Sequence, residues 1–156
     1  VVAVICLYEV AAYCKKNGIT LWDQMLKIYE EYGYFKEGLH TITMKGVTGA
    51  QAIKDIMAAL RKNPAKELAG LKVLKVRDYD ADVVTDMATG EKSSTGLPKS
   101  NVLYFDLEND SWCCARPSGT EPKIKFYMGV KGTSLQDSEE KLEALKNAVL
   151  AMIPEV

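Results

Sequence analysis

The sequence predicts an α+β fold: a two-layer domain with a mainly antiparallel sheet of four to five strands, two helices on one face of the sheet, and a helical segment in front. Two patterns and one packing argument carry this expectation. Leu39–Lys45 and Lys123–Met128 alternate with the period of two that marks half-buried strands, and Leu71–Arg77, Val102–Leu107 and Ser111–Arg116 read as three more strands, with Leu103, Phe105 and Leu107 sharing a face. Ile53, Ile56, Met57 and Leu60, and later Leu142, Leu145, Val149 and Met152, recur at helical spacing. Strands and helices that are each apolar on one side must bury those sides against one another, and two layers achieve this.

Taken in order, residues 1–17 are apolar almost all round a helical wheel, with Val4, Ile5, Tyr8, Ala11 and Ala12 on one side and Val2, Cys6 and Val10 elsewhere. Such a helix expects burial on every side. Lys15, Lys16 and Asn17 lead to Gly18, a good helix stop. The chain opens on Val1 rather than methionine, which suggests a piece of a longer protein. Thr20 caps a second helix with Asp23 three residues on, and Trp22, Met25, Leu26 and Tyr29 form its core stripe before Gly33. Tyr34–Gly38 is read as a linker, dividing a helical part, 1–38, from a sheet domain, 39–156.

In the first strand His40, Ile42 and Met44 share a face, and the lone histidine is read as structural. Thr48 and Gln51 have the spacing of a capping box, and Asn63-Pro64 stops the helix that follows. From Asp78 to Ser100 the chain is polar and turn-rich. Asp78, Asp80, Asp82 and Asp86 alternate there, but the glycine and terminal glutamate of a calcium loop are missing, so a long solvated loop is expected. Glu108-Asn109-Asp110 joins two strands as a short hairpin turn. The last helix follows Gly132 and ends near Pro154.

Composition excludes several classes. Twenty basic against twenty-one acidic residues argue against a nucleic-acid-binding surface, so any anion site must be local. The apolar run Val1–Leu7 is too short to span a bilayer and is soon interrupted by Glu9, so no membrane helix is expected. Cys6, Cys14 and the adjacent Cys113 and Cys114 lack the spacing of a zinc site. They are read as free thiols, mostly core fillers, in a reducing cytoplasm.

The chemically most distinctive stretch is Arg116-Pro117-Ser118-Gly119-Thr120-Glu121-Pro122-Lys123-Ile124-Lys125. Ser118, Gly119 and Thr120 offer three consecutive backbone N–H groups and two hydroxyls, and Gly119 permits tight curvature or a positive φ. Successive N–H groups in a turn can converge on one anion. Pro117 and Pro122 restrict the backbone on either side. Arg116 supplies a planar fork suited to two phosphate oxygens, and Lys125 a point charge. An ordinary hairpin connection would use many of the same residue types, so on chemistry alone both readings stay open.

Arg-Pro-Ser-Gly-Thr-Glu-Pro-Lys-Ile-Lys-Phe-Tyr, from Arg116 to Tyr127, resembles the phosphate-binding loop in the last domain of the α-D-phosphohexomutases. The resemblance extends along the chain. Gly18–Tyr34 looks like the end of that family's third domain, and Leu39–Ile153 like its complete fourth domain. It implies that Arg116, Ser118, Gly119, Thr120 and Lys125 bind a substrate phosphate. Lys125 stands where several members have arginine, and so keeps the charge without the bidentate geometry.

The family's phosphoserine, metal and sugar-recognition motifs belong to its first three domains, and none occurs in this sequence. The resemblance therefore implies no catalytic and no metal-ligating residue here, with magnesium held elsewhere in the parent enzyme. That parent would interconvert hexose 1-phosphate and hexose 6-phosphate through a phosphoserine and a bisphosphorylated sugar. Its partners would be the phosphorylated hexose and the remaining domains, and residues 1–34 could mediate self-association of this piece. An independent phosphate-binding or regulatory module, or an interaction scaffold, is the alternative. Glucose, mannose and glucosamine phosphates all satisfy a loop that recognises phosphate, with glucose the leading expectation.

Overall fold

A computed structural model describes residues 1–44 and 48–153. Its elements are α1 (Val2–Lys16), α2 (Leu21–Tyr32), β1 (Tyr34–Thr43), α3 (Gly49–Lys62), β2 (Glu67–Leu68), β3 (Leu71–Asp78), β4 (Val83–Asp86), β5 (Lys92–Ser93), β6 (Leu103–Leu107), β7 (Trp112–Pro117), β8 (Lys123–Gly132) and α4 (Leu135–Ala151). Lys45, at the predicted end of the first strand, and Pro154, beyond the last helix, lie outside the described residues.

The α+β architecture is as expected, with more strands. An open eight-stranded antiparallel sheet runs β1-β8-β7-β6-β3-β4-β5, and β2 pairs with β3 beside this path. β2, β4 and β5 are two to four residues long, too short to display a period of two. The expected linker Tyr34–Gly38 is instead the first half of β1, whose ten residues pair with β8 from Tyr34↔Gly132 to Thr43↔Lys123.

One face of the sheet carries the core. Phe105 from β6, Ile124, Phe126 and Met128 from β8, Ile56 and Met57 from α3, and Leu145 and Val149 from α4 are all essentially inaccessible and form one cluster. Each such side chain contributes about 1.5–3 kcal/mol by leaving water. Both helices thus cover the same face. α4 approaches closely because Gly132 has no side chain: a Cβ there would lie 2.5 Å from the Ser138 backbone nitrogen. Ser134 caps α4 by accepting from the Asp137 N–H, and Asp137 accepts in return from the Thr133 N–H at 2.7 Å.

The other caps divide. Thr20 and Asp23 form the expected reciprocal box at α2, whereas Thr48 adopts an αR conformation with no side-chain cap bond, so the predicted Thr48–Gln51 box does not form. Gln51 bonds Asp55 along α3 instead. The 78–100 segment is not one solvated loop, because β4 and β5 form a hairpin within it. Its carboxylates are turn caps: Asp86 accepts from the Ala88 and Thr89 N–H groups, and Asp82 from Ser94 and Thr95. These bonds also hold both carboxyls below their ordinary value, with the Thr95 hydroxyl the largest cause at Asp82 and the Thr89 N–H at Asp86.

Residues 1–17 are helical but not buried. Val2 is 74% exposed and Tyr8 73%, and Cys14 is the buried residue of α1. The principal contact of α1 is α2, which in turn touches β1, so α1 does not return to the sheet's core. Cys6 is exposed as well, whereas Cys14 and Cys113 are buried and Cys114 is half-buried. No helix among the described residues is long and apolar enough to cross a membrane.

Candidate functional site

Residues 116–125 form the connection between β7 and β8. Cys113 and Ala115 of β7, and Ile124 and Phe126 of β8, enter the core, so alternation turns Cys114, Arg116, Lys123 and Lys125 to the opposite, helix-free face. Burial pushes the Cys114 thiol up to about 11, against a smaller pull from the Arg116 charge.

On that face Arg116 and Lys125 are directly opposite in the β7–β8 register, and Thr41 of β1 opposes Lys125 on its other side. Directly opposed side chains have Cβ atoms about 4.5–5.5 Å apart. Two cations at that spacing repel one another, and an anion between or above them removes the repulsion. Neither Arg116 nor Lys125 enters an ion pair among the described residues. Lys123, by contrast, is paired with Glu121 at 3.1 Å.

The turn itself differs from three convergent N–H groups. The Ser118 N–H donates to the Lys123 carbonyl at 2.8 Å and closes the hairpin. Ser118 Oγ accepts from the Thr120 N–H at 3.4 Å and from the Glu121 N–H at 3.3 Å. Bonds of that length are weak, so an anion can take over both donors. The Ser118 hydroxyl proton and the Thr120 hydroxyl add further donors. Gly119 does not adopt a positive φ, and a Cβ built on it would meet nothing within 4 Å. Its role in this chain is therefore not steric accommodation of the fold.

The loop is braced from the residue that follows β1, where the Met44 N–H donates to the Pro122 carbonyl at 2.9 Å. On its α3 side lies a shallow cleft of about 390 Å³, lined by Ala50, Ile53 and Lys54 of α3, by Asn101, and by residues 117–122. Arg116 and Lys125 do not line this cleft. The structure thus gathers all five predicted residues on one hairpin but sets the two cations on one side and the cleft on the other. Thr41, Lys54 and Asn101 escaped the sequence reading. Each lies far from the loop in the chain, and only the strand register and the packing of α3 bring it near.

Among the described residues, no group of three or more histidine, cysteine, aspartate or glutamate side chains could hold a metal ion. His40 lies half-buried on the helix-covered face, opposite Phe126, and away from Arg116 and Lys125.

No protein-family model matches the chain. Among curated proteins, it is 39% identical over 129 residues to a phosphoglucomutase of Staphylococcus saprophyticus, covering 83% of the chain and 23% of that relative. It is 36% identical over 139 residues to a phosphoglucomutase of Staphylococcus aureus, covering 89% of the chain and 25% of the relative. The chain therefore spans about a quarter of the length of the curated relatives it matches.

Proposed function

Since the chain belongs to the α-D-phosphohexomutase family, we propose that it is the C-terminal, phosphate-binding part of a mutase acting on hexose 1- and 6-phosphates, with glucose the first sugar to test. The observation that carries this reading is the hairpin on which Arg116 and Lys125 face each other beside the Ser118-Gly119-Thr120 turn. In the parent reaction a phosphoserine donates its phosphoryl group, a bisphosphorylated sugar forms, and the opposite phosphate returns to serine. The hairpin holds the phosphate that is not being transferred. Its contribution is orientation: an anchored phosphate fixes the sugar hydroxyl relative to the distant phosphoserine, and well-oriented reactants can recover several kcal/mol of the barrier. The reaction must accept the sugar in both directions, so a site that reads the phosphate rather than its point of attachment serves both.

The described residues offer no donor set that fits magnesium, because Asp82 and Asp86 are committed to turn hydrogen bonds and Asp78 to Arg61. No step here passes through a metal, and its ligands are assigned to the rest of the parent. The phosphoserine, metal and sugar-recognition motifs do not occur in the sequence, and on that ground residues 1–156 alone are expected to have no mutase turnover. Residues 1–33 are assigned to the preceding domain and the strands onward to the phosphate-binding one. Four unpaired cysteines suit a reducing cytoplasm.

The test is a titration of the chain with glucose 1-phosphate and glucose 6-phosphate, followed by amide chemical shifts. Both should bind with similar affinity near a millimolar dissociation constant, about 4.1 kcal/mol, because the sugar contacts lie elsewhere. Shifts should concentrate at Arg116, Ser118, Gly119, Thr120 and Lys125. Arg116→Ala should remove most of the response and Lys125→Ala less. Unchanged binding of both sugars by Arg116→Ala would refute the assignment.

A further inference from the structure

We infer that the phosphate site has a second wall, in which Lys54 of α3 supplies a cation and Asn101 an amide donor to the same anion that the 118–120 turn binds. This deepens the phosphate-binding reading above and rests on it.

The cleft beside the turn is the concave surface next to Ser118, Gly119 and Thr120, and Lys54 and Asn101 are its polar contributors from outside the hairpin. A concave site excludes more water from an anion than the exposed sheet face that carries Arg116, so each charge and donor along it acts more strongly. Glu121 also lines the cleft, but its carboxylate is taken by Lys123 at 3.1 Å, which offsets its repulsion of an anion.

Asn101 is held for the role. Its Oδ1 accepts from Arg61 Nη2 at 2.7 Å, and Arg61 Nε donates to Asp78 Oδ2 at 3.0 Å. A guanidinium only donates, so the oxygen of Asn101 must face Arg61, leaving the Nδ2 protons to another acceptor. Asp78 is itself fixed by accepting from the Asp80 N–H at 3.1 Å. The relay Asp78–Arg61–Asn101 thus ties the amide to β3 and α3, and little side-chain freedom remains to be lost on binding. Lys54 is exposed on the second turn of α3, one residue after the core side chain Ile53. It has no ion-pair partner among the described residues. The two walls would then place cations on both sides of the turn: Arg116 and Lys125 from the sheet, Lys54 from the helix.

The test is titration with inorganic phosphate and, separately, glucose 1-phosphate, on the unmodified chain and on Lys54→Met, Lys54→Arg and Asn101→Ala, with Arg116→Ala as the reference. Lys54→Met should weaken both ligands by about three- to tenfold, the range of one partly screened charge contact. Lys54→Arg should restore most of the loss. The Asn101 side-chain amide signal should shift on adding phosphate. Because Lys54 is exposed, its variants should melt as the unmodified chain does, so a loss of affinity is not a loss of fold. If Lys54→Met binds normally and the Asn101 amide stays still while Arg116→Ala abolishes binding, the second wall is wrong and the hairpin site stands. If Arg116→Ala has no effect either, the phosphate reading itself fails.

Discussion

Arg116 and Lys125 are register partners on neighbouring antiparallel strands, two cations placed side by side on the helix-free face of the sheet. A fold selected only for stability would avoid this arrangement, because like charges directly opposite one another cost a few tenths to about 1 kcal/mol. The fold carries that repulsion at the point where an anion would relieve it.

Stability and binding should therefore separate at Arg116. Arg116→Gln removes the charge while keeping most of the side-chain volume, and it should leave the thermal midpoint equal or slightly higher in phosphate-free buffer. Glucose 1-phosphate at ten times its dissociation constant should stabilise the unmodified chain by about 1.4 kcal/mol and the variant by much less. Thermal melts with and without ligand measure both effects. A variant that is less stable yet equally responsive to ligand would contradict this account.

Two glycines should respond oppositely to alanine. A Cβ on Gly132 would sit 2.5 Å from the Ser138 backbone nitrogen, so Gly132→Ala must displace α4 and should cost about 1–3 kcal/mol. A Cβ on Gly119 meets nothing, and its backbone lies outside the left-handed region. Gly119→Ala should hold stability within about 0.5 kcal/mol of the parent, or raise it slightly by restricting the unfolded chain. Denaturant unfolding of the two variants distinguishes them. Phosphate affinity should fall in Gly119→Ala if the anion approaches the turn through that open space.

The start of α4 should give a measurable acid dependence. The Lys141 ammonium first, and then the Thr133 N–H, hold the Asp137 carboxyl down at about 2, against an ordinary value of 3.8. A depressed folded-state pKa means the contribution is fully present above the unfolded value and is lost as pH falls through the folded one. Stability should thus drop between about pH 4 and pH 2. Asp137→Asn should flatten that part of the curve, which circular dichroism at a series of pH values would record. An equal slope in both proteins would remove Asp137 from the account.

Removing residues 1–17 should leave the sheet domain folded, because α1 rests chiefly on α2 and buries only Cys14. The melting midpoint should shift little, while solubility should rise as Val2, Val4, Ile5, Leu7 and Tyr8 no longer face water. Light scattering at increasing concentration should show self-association of the full chain and a monomer after truncation. Truncation that unfolds the domain would show that α1 supports it.

Local patterns in the sequence determined much of this protein. Alternation located β1 and β8, short apolar runs bounded by turn residues located β3, β6 and β7, helical spacing located α3 and α4, and Thr20 with Asp23 marked the start of α2, because each depends on near neighbours in the chain. The candidate anion loop was legible for the same reason: Arg116 to Lys125 is one continuous stretch, and a hairpin brings its ends together. Tertiary structure decided the rest. Thr48 looks like a cap, yet its αR conformation takes the hydroxyl out of play. β4 and β5 exist because neighbouring strands offer free backbone partners, which no period in such short segments could announce. Tyr34–Gly38 became strand because β8 is long enough to pair with all of it. The placement of Thr41, Lys54 and Asn101 around the loop arises from contacts between residues distant in the chain, set by register and helix packing, and such contacts leave no local trace in the order of residues.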